Sequence, residues 1–262
     1  MTYYLEAQAV SCVVGGATLL QTLTARFATG AFTAILGPNG AGKSTLLSLL
    51  CGQRKASQGQ VFLQNQTLDS YPVQALARRR ALLPQDLSVA FDYTVQDVVE
   101  LGRYPHRQQP SSGETDIVQR AMQSTGVLAL AHRVLNTLSG GERARAQLAR
   151  VLAQIWEPAA EGHSRWLLLD EPTAALDVHH QHAVLRLVRR WAHAHGVGVV
   201  AVLHDLNLAL RYADQVLLLQ DGQVQADGPP AQVLSADTVS RIWQVDVHPV
   251  HDADGSLQLL MA

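Results

Sequence analysis

The sequence predicts an α/β fold: a largely parallel sheet covered by helices on both faces, wrapped around a phosphate-binding loop and carrying a helical insertion. Three observations predict it. A glycine-rich stretch, Gly37-Pro38-Asn39-Gly40-Ala41-Gly42-Lys43-Ser44, stands between a short apolar run and an apolar-rich segment. From Val95 to Leu152 strand signals vanish and apolar residues recur at helical spacing. Beyond Leu152, short continuous apolar runs alternate with helical segments, the pattern of buried parallel strands joined by helices.

Along the chain, β-like segments at 19–27, 32–36, 60–63 and 81–83 are separated by turn signals at Gly30, Gly59 and Asp69, which reads as a mixed sheet around the loop. Phe32-Thr33-Ala34-Ile35-Leu36 is a buried strand, residues 37–42 a loop free to turn its N–H groups inward, and 44–50 a helix. Strand, anion nest and helix N-terminus in series direct unpaired N–H groups and the positive end of a helix dipole at a phosphate. In that setting Lys43 is expected to reach the β- and γ-phosphates, Ser44 to ligate Mg²⁺, and Thr45 to reach the α-phosphate. An ordinary glycine turn would not require the full eight-residue pattern in this context.

Helical spacing then covers 95–101, 116–125 and 142–152, with a Pro/Ser/Gly loop at 108–113. After a polar loop at 157–165 come a strand at 166–169, a helix at 179–195, a strand at 197–203, a helix at 205–212 and a strand at 215–219. The strand Trp166-Leu167-Leu168-Leu169 ends in Asp170-Glu171. Adjacent strand side chains point opposite ways, so the two acids can take different tasks: Asp170 holding Mg²⁺ through water, Glu171 polarising the attacking water. His179, His180, His182, His193 and His195 share one helical segment, but neighbours at i and i+1 do not share a face, and no metal site is assigned to them.

Composition narrows the partners. The 262 residues, 47% of them apolar, can form one large domain or two small ones with a sizeable core. A net charge of −2 lacks the basic footprint of a nucleic-acid binder. The N-terminal residues do not read as a secretory signal, so a cytosolic chain is expected. Its apolar runs fall short of the roughly 18–20 residues that span a bilayer, so membrane association is expected through a partner. Cys12 and Cys51 lack metal-ligand spacing and read as reduced, buried thiols.

Six features then fall in one order: the phosphate loop, Gln85, Leu138-Ser139-Gly140-Gly141-Glu142, Asp170-Glu171, Ala174-Ala175-Leu176-Asp177 and His204. In this order, over essentially the whole chain, the sequence resembles the ATP-binding subunits of ABC transporters. The resemblance implies a P-loop NTPase cassette with a RecA-like mixed-sheet core, an N-terminal antiparallel β subdomain and an inserted helical subdomain. It makes 1–262 one ATP-binding domain, with the core in 1–85 and 153–262 and the helical part in about 86–152. It implies ATP and Mg²⁺ as cofactors, Gln85 as a Mg²⁺ ligand and γ-phosphate sensor, and Glu171, His204 and Lys43 as catalytic residues. By the same resemblance Ser139, Gly140, Gly141 and Glu142 close over the nucleotide of a second copy, and Asp177 docks the two copies. The implied assembly is a homodimer with two copies of a transmembrane permease and, indirectly, a periplasmic binding protein. It sits peripherally on the cytoplasmic face of the bacterial inner membrane, with the segment from about Asp86 to Arg107 receiving the permease. One departure stands out: Ser11-Cys12-Val13-Val14-Gly15 holds no aromatic where the family stacks a ring on adenine.

Within the family, Leu83-Pro84-Gln85 followed by the segment 94–106 is similar to importers of iron chelates, haem and cobalamin. The loop at 154–165 and Val202-Leu203-His204-Asp205-Leu206-Asn207-Leu208-Ala209 lean toward hemin importers, with ferric siderophore and cobalamin as the alternative cargoes. A soluble ABC ATPase acting on ribosomes or DNA is a more distant alternative; those usually carry two cassettes, coiled-coil insertions or basic arms, which this sequence lacks. A P-loop kinase or GTPase would not need residues 138–142.

Overall fold

A computed structural model describes residues 2–86, 91–158, 162–252 and 255–261. The chain opens with an antiparallel hairpin of β1 (Tyr4–Val14) and β2 (Ala17–Ala28), turned at Gly15-Gly16. β3 (Phe32–Leu36) leads through the glycine-rich loop into α1 (Lys43–Leu50), followed by β4 (Gln58–Leu63), β5 (Gln66–Thr67), α2 (Val73–Ala77) and β6 (Arg80–Leu83). The first sheet has the order β2-β1-β4-β5 and is antiparallel throughout.

β1 was not legible as a strand, although Leu5 and Ala7 are buried and alternate with Glu6 and Gln8. Its period breaks at Ala9, where φ is +49° and the register shifts. Gly59, expected to mark a turn, lies inside β4 with φ +73°, and a Cβ there would fall on the Ala9 carbonyl. A glycine in a strand at such a close approach marks a bulge, not a chain reversal.

The middle of the chain holds α3 (Val95–Leu101), α4 (Glu114–Ser124) and α5 (Gly140–Gln154). Thr94 and Asp97 form a capping box on α3, and Ser139 and Glu142 form one on α5. The three helices share a small core that includes Val98, Val99, Ile117, Ala121, Met122 and Ala149. α5 turns its other side to the main sheet through Leu148 and Leu152.

The remaining elements are β7 (Trp166–Asp170), α6 (Val178–His195), β8 (Gly198–Val202), α7 (Leu206–Tyr212), β9 (Gln215–Gln220) and β10 (Gln223–Gly228). α8 (Pro230–Val233), α9 (Ala236–Trp243) and a terminal hairpin of β11 (Val247–His251) and β12 (Leu257–Met261) complete the chain. The second sheet has the order β10-β9-β3-β8-β7-β6, parallel except for β10. Both its faces are buried, as the continuous apolar runs predict: Leu167 and Leu169 pack in the core beneath α5, α6 and α7, and Leu168 in the core shared with α1 and the first sheet. Cys12 and Cys51 are both buried in that second core. Among the described residues no helix is long and apolar enough to cross a membrane.

Candidate functional site

β3, β8 and β7 are neighbours and parallel, so the segments that leave their carboxyl ends gather at one edge of the sheet. After β3 comes the glycine-rich loop, after β7 Glu171, and after β8 His204. A cleft of about 250 Å³ opens there, lined by residues 39–45, Glu171, His204 and, as its apolar wall, Leu19.

The loop is held by its surroundings. Gly42 has φ +94°, and a Cβ there would stand 2.6 Å from the Leu20 side chain and 2.8 Å from the Leu19 carbonyl. Only glycine satisfies both the conformation and the approach of β2. Gly37 is confined likewise, its absent Cβ directed at the Leu219 carbonyl of β9. The Gly222 N–H donates to the Ala41 carbonyl (3.3 Å), so the β9–β10 turn braces the loop from the far side.

Lys43 is buried, and its ammonium donates to the Gly37 (2.8 Å) and Pro38 (2.9 Å) carbonyls. Burial lowers its pKa, while the nearby Glu171 and Asp170 charges favour the ammonium. Ser44 Oγ donates to Asp170 Oδ1 (3.0 Å). Burial raises the Asp170 pKa, partly offset by the Ser44 hydrogen bond. Thr45, half-buried, lines the cleft beside them.

Glu171 meets two partners. Its Oε2 accepts from Gln85 Nε2 (3.1 Å), and its Oε1 lies 2.7 Å from His204 Nε2. Gln85 arrives there because β6 pairs in parallel with β7, Leu83 opposite Leu169. Asp170 and Glu171 do face different partners, but not through strand alternation: β7 ends at Asp170, and Glu171 adopts a left-handed conformation with φ +52°. A glutamate there costs about 1–3 kcal/mol of backbone strain, the kind of cost found at functional sites.

A second group of candidate residues gathers elsewhere. Ser139 caps α5: its N–H (2.9 Å) and Oγ (2.8 Å) donate to Glu142 Oε2, and the Glu142 N–H donates back to Ser139 Oγ (3.3 Å). The Ser139 N–H bond, then the hydroxyl bond, hold the Glu142 carboxyl below its usual pKa. The start of α5 lies on Ala175 and Leu176: a Cβ on Gly140 would sit 3.7 Å from that of Ala175, and one on Gly141 3.3 Å from the Ala175 carbonyl and 3.5 Å from the Leu176 side chain. Asp177 caps α6 through the His180 N–H (2.9 Å) and meets His180 Nδ1 at 2.8 Å. The His180 backbone bond lowers its pKa first, then the side-chain bond. None of residues 139–142 or Asp177 lines the cleft of their own chain. The histidines of α6 have other partners besides Asp177: His182 Nδ1 meets the Tyr212 hydroxyl at 2.7 Å, and His193 Nε2 meets Asp214 at 2.8 Å.

Two features were not legible in the sequence. Leu19 supplies the cleft wall from β2, far from any motif, and among the cleft-lining residues there is no phenyl, phenol or indole ring. Arg103 lies buried in the helical region, its guanidinium bonded to Glu114 (2.6 and 2.9 Å), Glu157 (2.6 Å) and the Ala153 carbonyl (2.7 Å). Of the segment expected to receive a membrane partner, residues 87–90 lie outside the described residues, as do 159–161 of the loop at 154–165. The described part carries exposed Phe91, Tyr93, Leu101 and Tyr104, with a groove of about 560 Å³ lined by the last three, Arg107 and Pro110.

Comparison with known proteins accords with this geometry. The ABC transporter family pattern matches residues 20–174. The chain is 43% identical over 250 residues to the hemin import ATP-binding protein HmuV of Methylobacillus flagellatus, covering 95% of this chain and 92% of that protein. Among solved structures, one described as an inward-facing conformation of a metal-chelate type ABC transporter superposes with a TM-score of 0.82 at 26% identity, over 100% of this chain and 98% of the other. A dimeric ATP-binding cassette in a post-hydrolysis state, bound to ADP and Pi, gives 0.75 at 25% identity, over 86% and 98%. The chain belongs to the ABC transporter family and has the fold of its ATP-binding cassettes.

Proposed function

We propose that the protein is the ATP-hydrolysing subunit of a bacterial importer that takes up haem. The observation that carries the hydrolytic part is the placement of Glu171 between Gln85 and His204, facing the loop that holds Lys43. In this reading the N–H groups of residues 40–45 and the Lys43 ammonium bind the triphosphate at the start of α1. Ser44 and Asp170, two oxygen donors already 3.0 Å apart, fit Mg²⁺, which takes oxygen ligands and is completed by substrate phosphates. Gln85, in contact with Glu171, is the further candidate ligand. Bound Mg²⁺ supplies neutralisation of the β- and γ-phosphate oxygens. Glu171 orients and polarises the attacking water and accepts its proton as the new oxygen–phosphorus bond forms and the bond from the γ-phosphorus to the bridging oxygen breaks, ADP leaving with that electron pair; His204 contacts the γ-phosphate and holds Glu171 in place.

The cleft is completed by a second copy. Ser139, Gly140 and Gly141 present a helix N-terminus away from their own cleft, which suits a clamp on the γ-phosphate of the partner's ATP, with Asp177 at the junction. The dimeric cassette with ADP and Pi supports this arrangement. The separate core of α3, α4 and α5 supports a helical subdomain spanning about 86–152 within a core of 1–85 and 153–262. The exposed aromatic groove on it suits a permease at the cytoplasmic face of the inner membrane, two copies per dimer, with a periplasmic binding protein delivering cargo.

Haem as cargo rests on the hemin import relative. Growth of a deletion strain with haem, ferric siderophore or cobalamin as the limiting nutrient tests it. Loss of growth on haem alone is expected; a defect on another nutrient with normal growth on haem would overturn the cargo and leave the ATPase standing.

A further inference from the structure

Asn207 ties the C-terminal hairpin to the first turn of α7. Its carboxamide Nδ2 donates to the Leu259 carbonyl (3.0 Å), and its Oδ1 accepts from the Leu259 N–H (2.8 Å). This is a two-point match to the backbone of β12. Leu259 stands opposite Pro249 of β11. A proline has no N–H to offer, and in an antiparallel pair the residue opposite such a position directs its own N–H and carbonyl outward. Those two outward groups are the ones Asn207 satisfies. Leu259 itself is 2% exposed and belongs to the main core, so the anchor is a fixed one.

The tie stands just behind His204 in the chain. β8 ends at Val202, His204 comes next but one, and Asp205 caps α7 by accepting from the Leu208 N–H (2.9 Å). Leu206, Leu208 and Ala209 bury the inner side of this first turn in the main core, but His204 and Asp205 at its leading end are both exposed, so polar contacts add to packing in setting that end. A helix of seven residues is too short to hold its own shape or direction, and takes both from tertiary contacts. On the side toward α6 the hairpin gives little packing support: a cleft of about 430 Å³ separates Val178, Gln181 and His182 of α6 from Asp252, Leu257 and Gln258.

We infer that Asn207 is a positioning residue for hydrolysis: by anchoring the first turn of α7 to β12 it sets the 2.7 Å approach of His204 to Glu171. The inference rests on the reading of His204 and Glu171 as hydrolytic groups. It assigns the C-terminal hairpin, which lies beyond every motif of the chain, a part in the chemistry. The phosphate loop is carried by β3 and α1, elements that the tie does not join, so nucleotide binding is separable from it.

A double-mutant cycle tests the inference on the full-length protein. Asn207→Ala is expected to lower kcat on the order of tenfold, as small misplacements of catalytic groups do, with ATP affinity unchanged within about twofold. In a His204→Ala background the same replacement is expected to have no further effect, because coupled residues fail to add. A loss that multiplies undiminished onto His204→Ala would overturn the inference, as would a fall in ATP affinity as large as the fall in kcat. If Asn207→Ala does not fold, Asn207→Asp keeps the acceptor for the Leu259 N–H and loses the donor; run through the same cycle, it supports or overturns the inference by the same two measurements. Normal turnover in His204→Ala alone would remove the reading of His204 itself, and the inference with it.

Discussion

His204 Nε2 lies 2.7 Å from Glu171 Oε1, and the other oxygen of the same carboxylate accepts the Gln85 amide at 3.1 Å. The groups come from the ends of β8, β7 and β6, so a single carboxylate records the register of three parallel strands. Glu171→Gln keeps size and hydrogen bonding but removes the base. ATP binding is expected to persist while turnover falls by roughly 10² or more, the size lost with a positioned general base. Single-turnover hydrolysis beside equilibrium nucleotide binding measures both, and near-normal turnover would sink the assignment.

The split between the cleft and the Ser139 group predicts complementation. Mixing Lys43→Ala with Ser139→Arg chains should give heterodimers with one intact composite site and both defects in the other. Activity recovered on mixing, against neither parent alone, is the expected result. Crosslinking that placed Ser139 beside the ATP of its own chain would refute the composite site. Because Ser139 also caps α5, Ser139→Ala is expected to cost about 1 kcal/mol of stability in urea unfolding.

Arg103 falls within the segment expected to receive the permease, yet only 7% of its side chain is exposed. Arg103→Glu would set a third carboxylate against Glu114 and Glu157. A loss of roughly 3–5 kcal/mol is expected, as for broken buried ion pairs, with ATPase and transport failing together. A variant as stable as the parent would show that the cluster is not a structural tie.

The same cluster gives a pH dependence. The Arg103 guanidinium, first among its causes, lowers the Glu114 pKa from 4.5 to about 2. A carboxylate depressed in the folded state stabilises above its unfolded pKa and loses that contribution as pH falls toward the folded one. The stability gap between the parent and Glu114→Gln should therefore be full at pH 7 and shrink from about pH 4.5 downward. A gap that stays constant between pH 7 and pH 3 would contradict the coupling.

Exposed side chains on the groove are the better probe of membrane coupling. Tyr104 and Leu101 are 58% and 49% exposed. Tyr104→Glu is expected to reduce nutrient uptake at least several-fold while the ATPase of the isolated subunit stays within about twofold of the parent, since a charge at an interface core is poorly tolerated. Equal loss in both assays would argue against this face as the docking surface.

The sequence by itself determined the glycine-rich loop and the order of strands and helices from 32 to 219 except the short β5 and α2, and through its family resemblance it grouped Lys43, Ser44, Gln85, Asp170, Glu171 and His204. These were legible because each sits at the end of a strongly patterned local element, and local pattern is written in consecutive residues. β1 was not, because the bulge at Ala9 breaks its period. Nor was anything beyond 219, where the segments are short and weakly periodic. Only the tertiary structure decided that Glu171 turns away from Asp170 by a left-handed backbone, that Arg103 is buried between two acids, that Leu19 walls the cleft, and that Asn207 holds β12. The physical reason is common to all four. Each depends on groups far apart in the chain, or on a backbone conformation imposed by such groups, and contacts of that kind leave no spacing for a sequence to show.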